Sequence, residues 1–323
     1  MSKATFAAIA AASAATGAGV TALFYSQSSR PQQPQKIPSF DSTAPKAQQQ
    51  QPLTSSFAGK SASSPIDPAG ILQYGFPGPT ADTIASLPLH GAFDRRTRNP
   101  AWVAEHITPQ SLAMNNADRK HSAFAEDESI PAMFRARLAD YFKSGYDRGH
   151  QVPAADAKWS QAAMDGTFAL TNMCPQVGEG FNRDYWSHFE TFCRDLAKRY
   201  PSVRIVTGPL YLPHRDPDGK WRVNYEVIGN PPNVAVPTHF YKVIYGEDGS
   251  SSGKVALGAF VLPNARISSD RRLADFEVPL EVVERASGLE FASKLDASRR
   301  KRLCQEVKCE AVVREFNNSS KRS

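Results

Sequence analysis

The residues best suited to chemistry cluster between positions 145 and 190 of this 323-residue chain. The cluster begins with Gly-Tyr-Asp-Arg-Gly-His, in which Arg148 and His150 stand two positions apart. A guanidinium presents a rigid fork of donors that matches phosphate oxygens, and an imidazole exchanges a proton near neutral pH. Gly149 between them permits a close backbone approach. The string predicts an acid–base site for phosphate; taken alone, a surface turn with a chance histidine is the alternative.

A second polar stretch, at 181–190, adds oxygen ligands. Asn182 begins a segment with helical periodicity, where asparagine is a preferred cap. Its side-chain oxygen also suits a hard cation such as Mg²⁺, which keeps most of its waters and needs few protein ligands. Glu190 lies eight residues on, about two helical turns along, so both side chains can lie along one side of a helix. Glu190 would hold metal-bound water or, alternatively, be a solvated helix charge.

Four motifs occur in a fixed order: D-R-G-H at 147–150, T-N-M-x-P-Q at 171–176, F-N-x-x-x-W-x-x-x-E at 181–190 and V-T-G-P-L-Y at 206–211. Together they resemble the DNA/RNA non-specific endonucleases with a ββα-metal finger, and most closely the mitochondrial endonuclease G subgroup. Further strings fit that subgroup, at 74–78, 227–230, 234–244 and 278–289. The resemblance covers about residues 70–290, nearly the whole body of the chain.

Carried over motif by motif, the resemblance implies roles for individual residues. His150 would be the general base. Asn182 would be the only direct protein ligand of Mg²⁺, with Mn²⁺ as a substitute. Arg148 would contact phosphate, Asn172 would orient the histidine or the scissile phosphate, and Glu190 would fix water around the metal.

Two further positions enter through the same resemblance. Arg119, in A-D-R-K-H-S-A-F at 117–124, matches a second phosphate-binding arginine. Phe181 precedes the ligand asparagine where the family usually has leucine. We interpret this difference as a change of packing that leaves the site intact.

The implied reaction is hydrolysis of phosphodiester bonds in DNA and RNA, single- or double-stranded, leaving 5′-phosphate ends. Neutral His150 would take a proton from water. Mg²⁺ at Asn182 would polarise a phosphoryl oxygen and stabilise the leaving oxygen, and Arg148 would neutralise charge developing at phosphorus. Contacts to phosphate and metal carry no base information, which predicts cleavage without sequence specificity.

Two other functions compete with this one. A catalytically silent nucleic-acid-binding protein on the same fold would be favoured by loss of the histidine or the asparagine, and both are present. An unrelated hydrolase using Ser or Cys chemistry would need a recognisable nucleophile, but the chain has no G-x-S-x-G motif.

The composition is that of a globular protein, with 41% hydrophobic and 22% charged residues, which excludes wholesale disorder and a polytopic membrane protein. The net charge of +6 comes from 38 bases and 32 acids. Residues 1–64 hold five bases and one acid, and residues 294–323 hold nine bases and four acids. The middle, 65–293, therefore has 24 bases and 27 acids, a net charge of −3. Affinity for a polyanion must come from a local site.

Composition divides the chain into four segments. Residues 1–25 hold an uncharged run at 4–25, long enough to span a bilayer; a membrane anchor, a secretory signal and a mitochondrial leader are the alternatives. Residues 26–64, rich in Gln, Pro and Ser, predict a disordered linker. Residues 65–295 form the nuclease domain and 296–323 a basic helical tail, which either adds phosphate or lipid contacts or presents a solvated face.

The same family resemblance implies a place for the protein. Residues 4–25 would anchor it to the mitochondrial inner membrane, with the catalytic body in the intermembrane space. The resemblance also implies a homodimer.

Apolar β-rich runs predict strands at 167–173, 203–212, 223–229, 238–245 and 255–262. Helical patterns occur at 131–143, 182–200, 279–286 and 298–316. Strands and helices do not alternate strictly, so we expect an α+β fold with a central, mainly antiparallel sheet flanked by helices. The four cysteines have no C-x-x-C spacing, which predicts buried free thiols.

Overall fold

The computed structural model describes residues 81–250 and 252–310. The expected anchor at 1–25, the expected linker at 26–64, the 74–78 motif and the tail from residue 311 onward lie outside the described residues. Within the described part of the chain, no helix combines the length and the apolar character needed to cross a membrane.

The strands of the described residues are β1 (Asp82–Ala85), β2 (His90–Asp94), β3 (Asn99–Ile107), β4 (Tyr146–His150), β5 (Met173–Val177), β6 (Ser202–Leu210), β7 (His214–Arg215), β8 (Trp221–Arg222), β9 (Val227–Ile228), β10 (Val234–Ala235), β11 (His239–Glu247), β12 (Val255–Pro263), β13 (Glu277–Val278) and β14 (Arg300–Arg302). The α-helices are α1 (Pro109–Ala113), α2 (Leu138–Tyr141), α3 (Gln161–Gly166), α4 (Tyr185–Leu196), α5 (Leu280–Ser287) and α6 (Leu303–Glu306).

One large sheet organises these elements, with the strand order β1-β2-β3-β6-β11-β12-β13. All neighbours along this path are antiparallel, and β14 joins β12 in parallel. β11 lies near the middle and pairs along its whole length with both β6 and β12. The predicted α+β fold with a mainly antiparallel central sheet is confirmed.

Both faces of the sheet are buried, and the alternation of β11 shows how. Phe240 and Ile244 belong to the core cluster that contains the α4 side chains, whereas Tyr241 and Val243 belong to the cluster that contains α5. Successive side chains of a strand point to opposite faces. Helices therefore cover the sheet on both sides, and α4 is held against the face that also supports the candidate site.

Helix α4 is buried along one broad stripe. Its inward residues recur at helical spacing and comprise Tyr185, Trp186, Phe189, Phe192, Cys193 and Leu196. The helix is shorter than the predicted 182–200. It begins after a turn in which Gly180 has a φ of +81°, and it ends ahead of Pro201, which cannot continue a helix.

The helix predicted at 298–316 is wrong for the residues that the structure describes. Residues 300–302 form β14, and only Leu303–Glu306 are helical. The basic side chains explain the extended backbone, because the Arg300 guanidinium donates to the carbonyls of Ala292 and Leu295. Arg302 likewise pairs with Glu277. Both arginines therefore bind acceptors within the protein, and these contacts hold residues 300–302 to the sheet.

Three other predicted elements differ from the observed ones. The strand predicted at 167–173 is instead a short 3₁₀ turn at 170–172 that leads into β5. The Asn172 side chain forms hydrogen bonds with nearby backbone groups, which compete with the pairing of a strand. Of 223–229, only Val227–Ile228 pair. The helix predicted at 131–143 reduces to a 3₁₀ turn at 132–134 and the short α2.

The cysteines divide into two kinds. Cys174 and Cys193 are buried free thiols, as predicted. Cys304 and Cys309 form a disulfide, so the prediction of free thiols was wrong for this pair. The two cysteines are five residues apart, and their disulfide closes a small loop at the end of the described chain. A search for C-x-x-C spacing does not detect this pairing.

Strands β4 and β5 meet closely at Gly149, which permits a test of the hairpin. A Cβ built on Gly149 would lie 2.0 Å from Oε1 of Gln176, whose side chain is fully buried. Gly149→Ala should lower the free energy of unfolding by about 1–3 kcal/mol, the usual cost of overpacking, as measured by urea denaturation. Gln176→Ala in the same chain should recover part of the loss, whereas strictly additive losses would contradict the predicted clash.

Candidate active site

The candidate site is built on β4, β5 and α4, which form a ββα unit with α3 lying between β4 and β5 in the chain. β4 pairs antiparallel with β5, with His150 opposite Met173 and Arg148 opposite Pro175. The chain then turns through residues 178–182 and enters α4. Alternate side chains share one side of a strand, so Arg148 and His150 point the same way. The motifs that lie far apart in sequence thus meet at one hairpin and the start of one helix.

The His150 imidazole is buried between two aromatic rings. Its centroid lies 5.6 Å from that of Phe124 and 4.9 Å from that of Phe168, against which it packs edge-on. Burial, assisted by the positive charge of Arg119, lowers the pKa of His150 from its usual 6.5 to about 3. The ring is therefore neutral near pH 7, and within the described residues its Nε2 has no hydrogen-bond partner. A neutral imidazole with an uncommitted nitrogen is equipped to accept a proton.

Two arginines flank the same aromatic pair. The Cζ of Arg148 lies 4.2 Å from the centroid of Phe124, and the Cζ of Arg119 lies 5.4 Å from that of Phe168. Within the described residues, neither guanidinium makes an ion pair with a carboxylate. The rings orient both cations beside His150 without neutralising them.

Asn182 is fixed by the carboxylate of Asp147. The Asn182 amide Nδ2 donates to Asp147 Oδ2 at 2.9 Å, and the Arg183 guanidinium donates to both carboxylate oxygens. Burial works to raise the pKa of Asp147, but these hydrogen bonds outweigh it and the pKa is lowered. Since Nδ2 is committed to an ionised acceptor, the amide is oriented with Oδ1 available as an oxygen ligand.

Asn172 lies behind the site and is almost completely buried. Its Oδ1 accepts from the Val152 N–H at 3.0 Å, and its Nδ2 donates to the carbonyls of Val152 and Thr167. Its backbone carbonyl accepts from Gln151 N–H. The side chain therefore fixes the segment that follows His150. None of the hydrogen bonds of its side chain goes to the imidazole.

Glu190 is half-buried in α4 and has an unusual protonation equilibrium. Burial raises its pKa to about 7, although Lys242 and Arg194 lower it. Lys242 is itself fully buried, donates to Thr207 Oγ1 at 2.8 Å and lies over the Trp186 ring. A nearby cation in a dry setting is what keeps such a carboxylate within reach of ionisation near neutral pH.

The carboxylates of Glu105 and Asp156 extend this buried network. Arg194 Nη1 donates to Asp156 Oδ1 at 2.8 Å, whereas in the part of the chain that the structure describes Asp156 Oδ2 and both oxygens of Glu105 lack a donor. Burial, with the neighbouring Asp156 charge, raises the pKa of Glu105 well above its usual range. When Glu105 holds a proton, its carboxyl group becomes a hydrogen-bond donor. It then no longer repels the Asp156 carboxylate, which remains an acceptor.

The sequence analysis missed several residues that support the site. Arg194 lies four residues after Glu190 on α4, a spacing that places both on one face of the helix and could have revealed it. Asp147 stands inside the D-R-G-H string without an assigned role. Phe124 and Phe168 carry no local signal, because only the fold brings them to His150, and the same holds for Asp156 at Arg194.

Comparisons with known proteins show the family to which the chain belongs. The family model described as DNA/RNA non-specific endonuclease matches residues 67–298. The mitochondrial nuclease of Saccharomyces cerevisiae is 60% identical over 259 residues, covering 79% of this chain and 79% of that protein. Endonuclease G of Caenorhabditis elegans is 45% identical, covering 73% of this chain and 75% of that protein.

A solved structure shares the fold. A chain from the crystal structure of an EndoG/EndoGI complex matches with a TM-score of 0.66 and 46% identity, over 73% of this chain and 97% of that one. The chain belongs to the DNA/RNA non-specific endonuclease family and is an enzyme of that class, with nucleic acid as its substrate. The predicted endonuclease G subgroup and ββα-metal fold are confirmed.

The low pKa of His150 has a measurable consequence for stability. On folding, this pKa falls from 6.5 to about 3, so below about pH 6.5 the unfolded chain binds a proton that the folded chain does not. Stability should therefore fall as the pH drops from about 6.5 toward 3, with His150 contributing up to about 1.4 kcal/mol per pH unit. His150→Gln should reduce this slope in denaturant titrations between pH 6.5 and 4.5. His121→Gln, at an exposed histidine, is the control. If stability depends on pH with the same slope in both variants, the buried neutral state of His150 is refuted.

Proposed function

We propose that the enzyme is a Mg²⁺-dependent endonuclease that hydrolyses DNA and RNA without sequence specificity and leaves 5′-phosphate ends. The observation that carries the proposal is His150, a neutral base with an uncommitted nitrogen, beside Arg119 and Arg148. A neutral imidazole beside two guanidinium groups that form no ion pair within the described residues suits hydrolysis of a phosphodiester. A silent binding protein would need the arginines but not a base held neutral.

Each residue has a distinct task in the proposed reaction. Arg148 and Arg119 bind the phosphodiester through its anionic oxygens and offset the charge that develops at phosphorus. His150 accepts the proton of the attacking water. Asn172 is a positioning residue, since it fixes the backbone at Val152 that follows the base.

The residues present fit a single divalent cation. Within the described residues, no group of three or more His, Cys, Asp or Glu side chains could hold a metal. Asn182 Oδ1 remains as an oriented neutral oxygen, which suits Mg²⁺ or Mn²⁺ that keeps most of its waters. Such an ion supplies positive charge to a phosphoryl oxygen and to the leaving oxygen. Glu190 would hold water near that ion.

Plasmid nicking with Mg²⁺ and with EDTA tests the proposal. We expect cleavage by the wild type only when the metal is present. His150→Ala should slow cleavage by about 10²–10⁴-fold, because the general base is lost, while binding of nucleic acid measured by anisotropy stays nearly unchanged. Asn182→Ala should also lose activity, and excess Mg²⁺ should restore only part of it.

The contradicting outcomes are distinct for each role. Near-normal turnover by His150→Ala would refute the base. Wild-type rates in EDTA would refute the metal and the role of Asn182. Binding without any cleavage by the wild type would identify the silent alternative.

We also propose a mitochondrial location, anchored through residues 4–25 to the inner membrane with the body in the intermembrane space, and a homodimeric state. The support is that relatives at 60% and 56% identity are named mitochondrial nucleases. In fractionated mitochondria, an added protease should digest the body once the outer membrane is ruptured but not before. Digestion in intact mitochondria, or protection after rupture, would contradict this placement.

A further inference from the structure

A cavity of about 530 Å³ lies beside the candidate active site, between α2 and β4. It shares Arg148 with the phosphate site, and Phe142, Lys143 and Tyr146 are also part of its lining. Its volume falls within the range of about 300–1,000 Å³ that is usual for small-molecule pockets. A strand whose phosphate contacts Arg148 would therefore bring a neighbouring nucleotide to this cavity.

Phe142 gives the cavity an exposed aromatic face. Its surface is 74% exposed, whereas most large apolar residues of the described chain are buried. The Lys143 Nζ lies 5.2 Å from the ring centroid of Phe142. Lys143 has a φ of +54°, a left-handed conformation that is strained for any residue except glycine. Strain of this kind is retained where the surrounding structure holds a side chain in a required position.

The charges around the cavity favour an anion. Within the described residues, neither Lys143 nor Arg148 forms an ion pair with a carboxylate. Asp147 is ion-paired with Arg183 and accepts a hydrogen bond from Asn182. This local cationic surface lies on a body whose net charge, over 65–293, is −3.

We propose that Phe142 and Lys143 form a stacking subsite for an unpaired nucleotide next to the scissile phosphate. An aromatic face beside a cationic backbone contact is the arrangement by which proteins hold single strands, because every base has a face that can stack. Stacking on Phe142 requires a base that is free of its partner strand. The subsite therefore favours single-stranded or locally opened nucleic acid. The inference rests on the proposed function only in placing a phosphate at Arg148.

The test measures binding by fluorescence anisotropy in the His150→Ala background, which keeps the probe intact. The probes are a fluorescein-labelled single-stranded oligonucleotide and the same strand made abasic throughout. Phe142→Ala should weaken binding of the base-containing strand by about 5- to 150-fold, the fold-change that corresponds to about 1–3 kcal/mol for one stacked base. It should leave binding of the abasic strand unchanged. Phe142→Trp should restore binding.

Met133→Ala is the matched control, because Met133 is apolar and 72% exposed but does not line the cavity. It should bind both strands as the parent does. Lys143→Gln should reduce the slope of log Kd against log salt by about one phosphate contact. Equal effects of Phe142→Ala on the base-containing and abasic strands would overturn the stacking role.

Failure of this inference can be told apart from failure of the proposed function. If the wild type cleaves with Mg²⁺ but Phe142→Ala binds like Met133→Ala, the subsite is refuted and the nuclease proposal stands. If the wild type does not cleave but the loss of binding is confined to the base-containing strand, the subsite stands alone. Unchanged binding together with an altered mass in analytical ultracentrifugation would instead identify Phe142 as a protein contact and overturn the subsite.

Discussion

The carboxylate of Asp147 joins the two halves of the catalytic unit. It belongs to the strand that carries Arg148 and His150, and it accepts from Asn182 and Arg183 at the turn before α4. Hydrogen bonds to an ionised carboxylate are roughly twice as strong as neutral ones, and the paired donors of an arginine add orientation. This contact therefore links the strand that carries His150 to the turn that carries Asn182. It also decides which end of the Asn182 amide faces outward.

Burial shifts the pKa values of His150 and Glu190 in opposite directions. It lowers the pKa of His150, which loses its charge, and raises the pKa of Glu190 to about 7. The difference follows from the sign of the charge, since a dry environment disfavours an imidazolium and a carboxylate alike. Lys242 and Arg194 then partly restore the ionised form of Glu190. The same region thus holds a neutral imidazole and a carboxylate that titrates near pH 7, and burial accounts for both pKa shifts.

The candidate site residues could be named from the sequence alone, whereas many of the elements that position them could not. His150, Arg148 and Asn182 stand in local strings whose residue types already specify phosphate and metal chemistry. β1 to β3 were not predicted, and the strand at 223–229 was largely wrong, because strand pairing depends on neighbours far away in the chain. The prediction for the tail failed for a related reason. From the sequence, Arg300 is expected to be a solvated base, but its guanidinium donates to the carbonyls of Ala292 and Leu295. The support by Phe124 and Phe168 could not be predicted, since it exists only once distant segments pack.

The way the arginines are held explains how an acidic body can present a cationic site. Arg183 and Arg194 are oriented by carboxylates, which cancel their charge. Arg148 and Arg119 are instead held over Phe124 and Phe168, which orient a guanidinium through the ring quadrupole without adding a negative charge. Their charge is therefore not cancelled by a carboxylate among the described residues, and the charge of Arg119 also disfavours protonation of His150. A nuclease without sequence specificity needs strong local charge and no contacts that distinguish one base from another, and aromatic support supplies the first without the overall basicity that would bind nucleic acid indiscriminately across the surface.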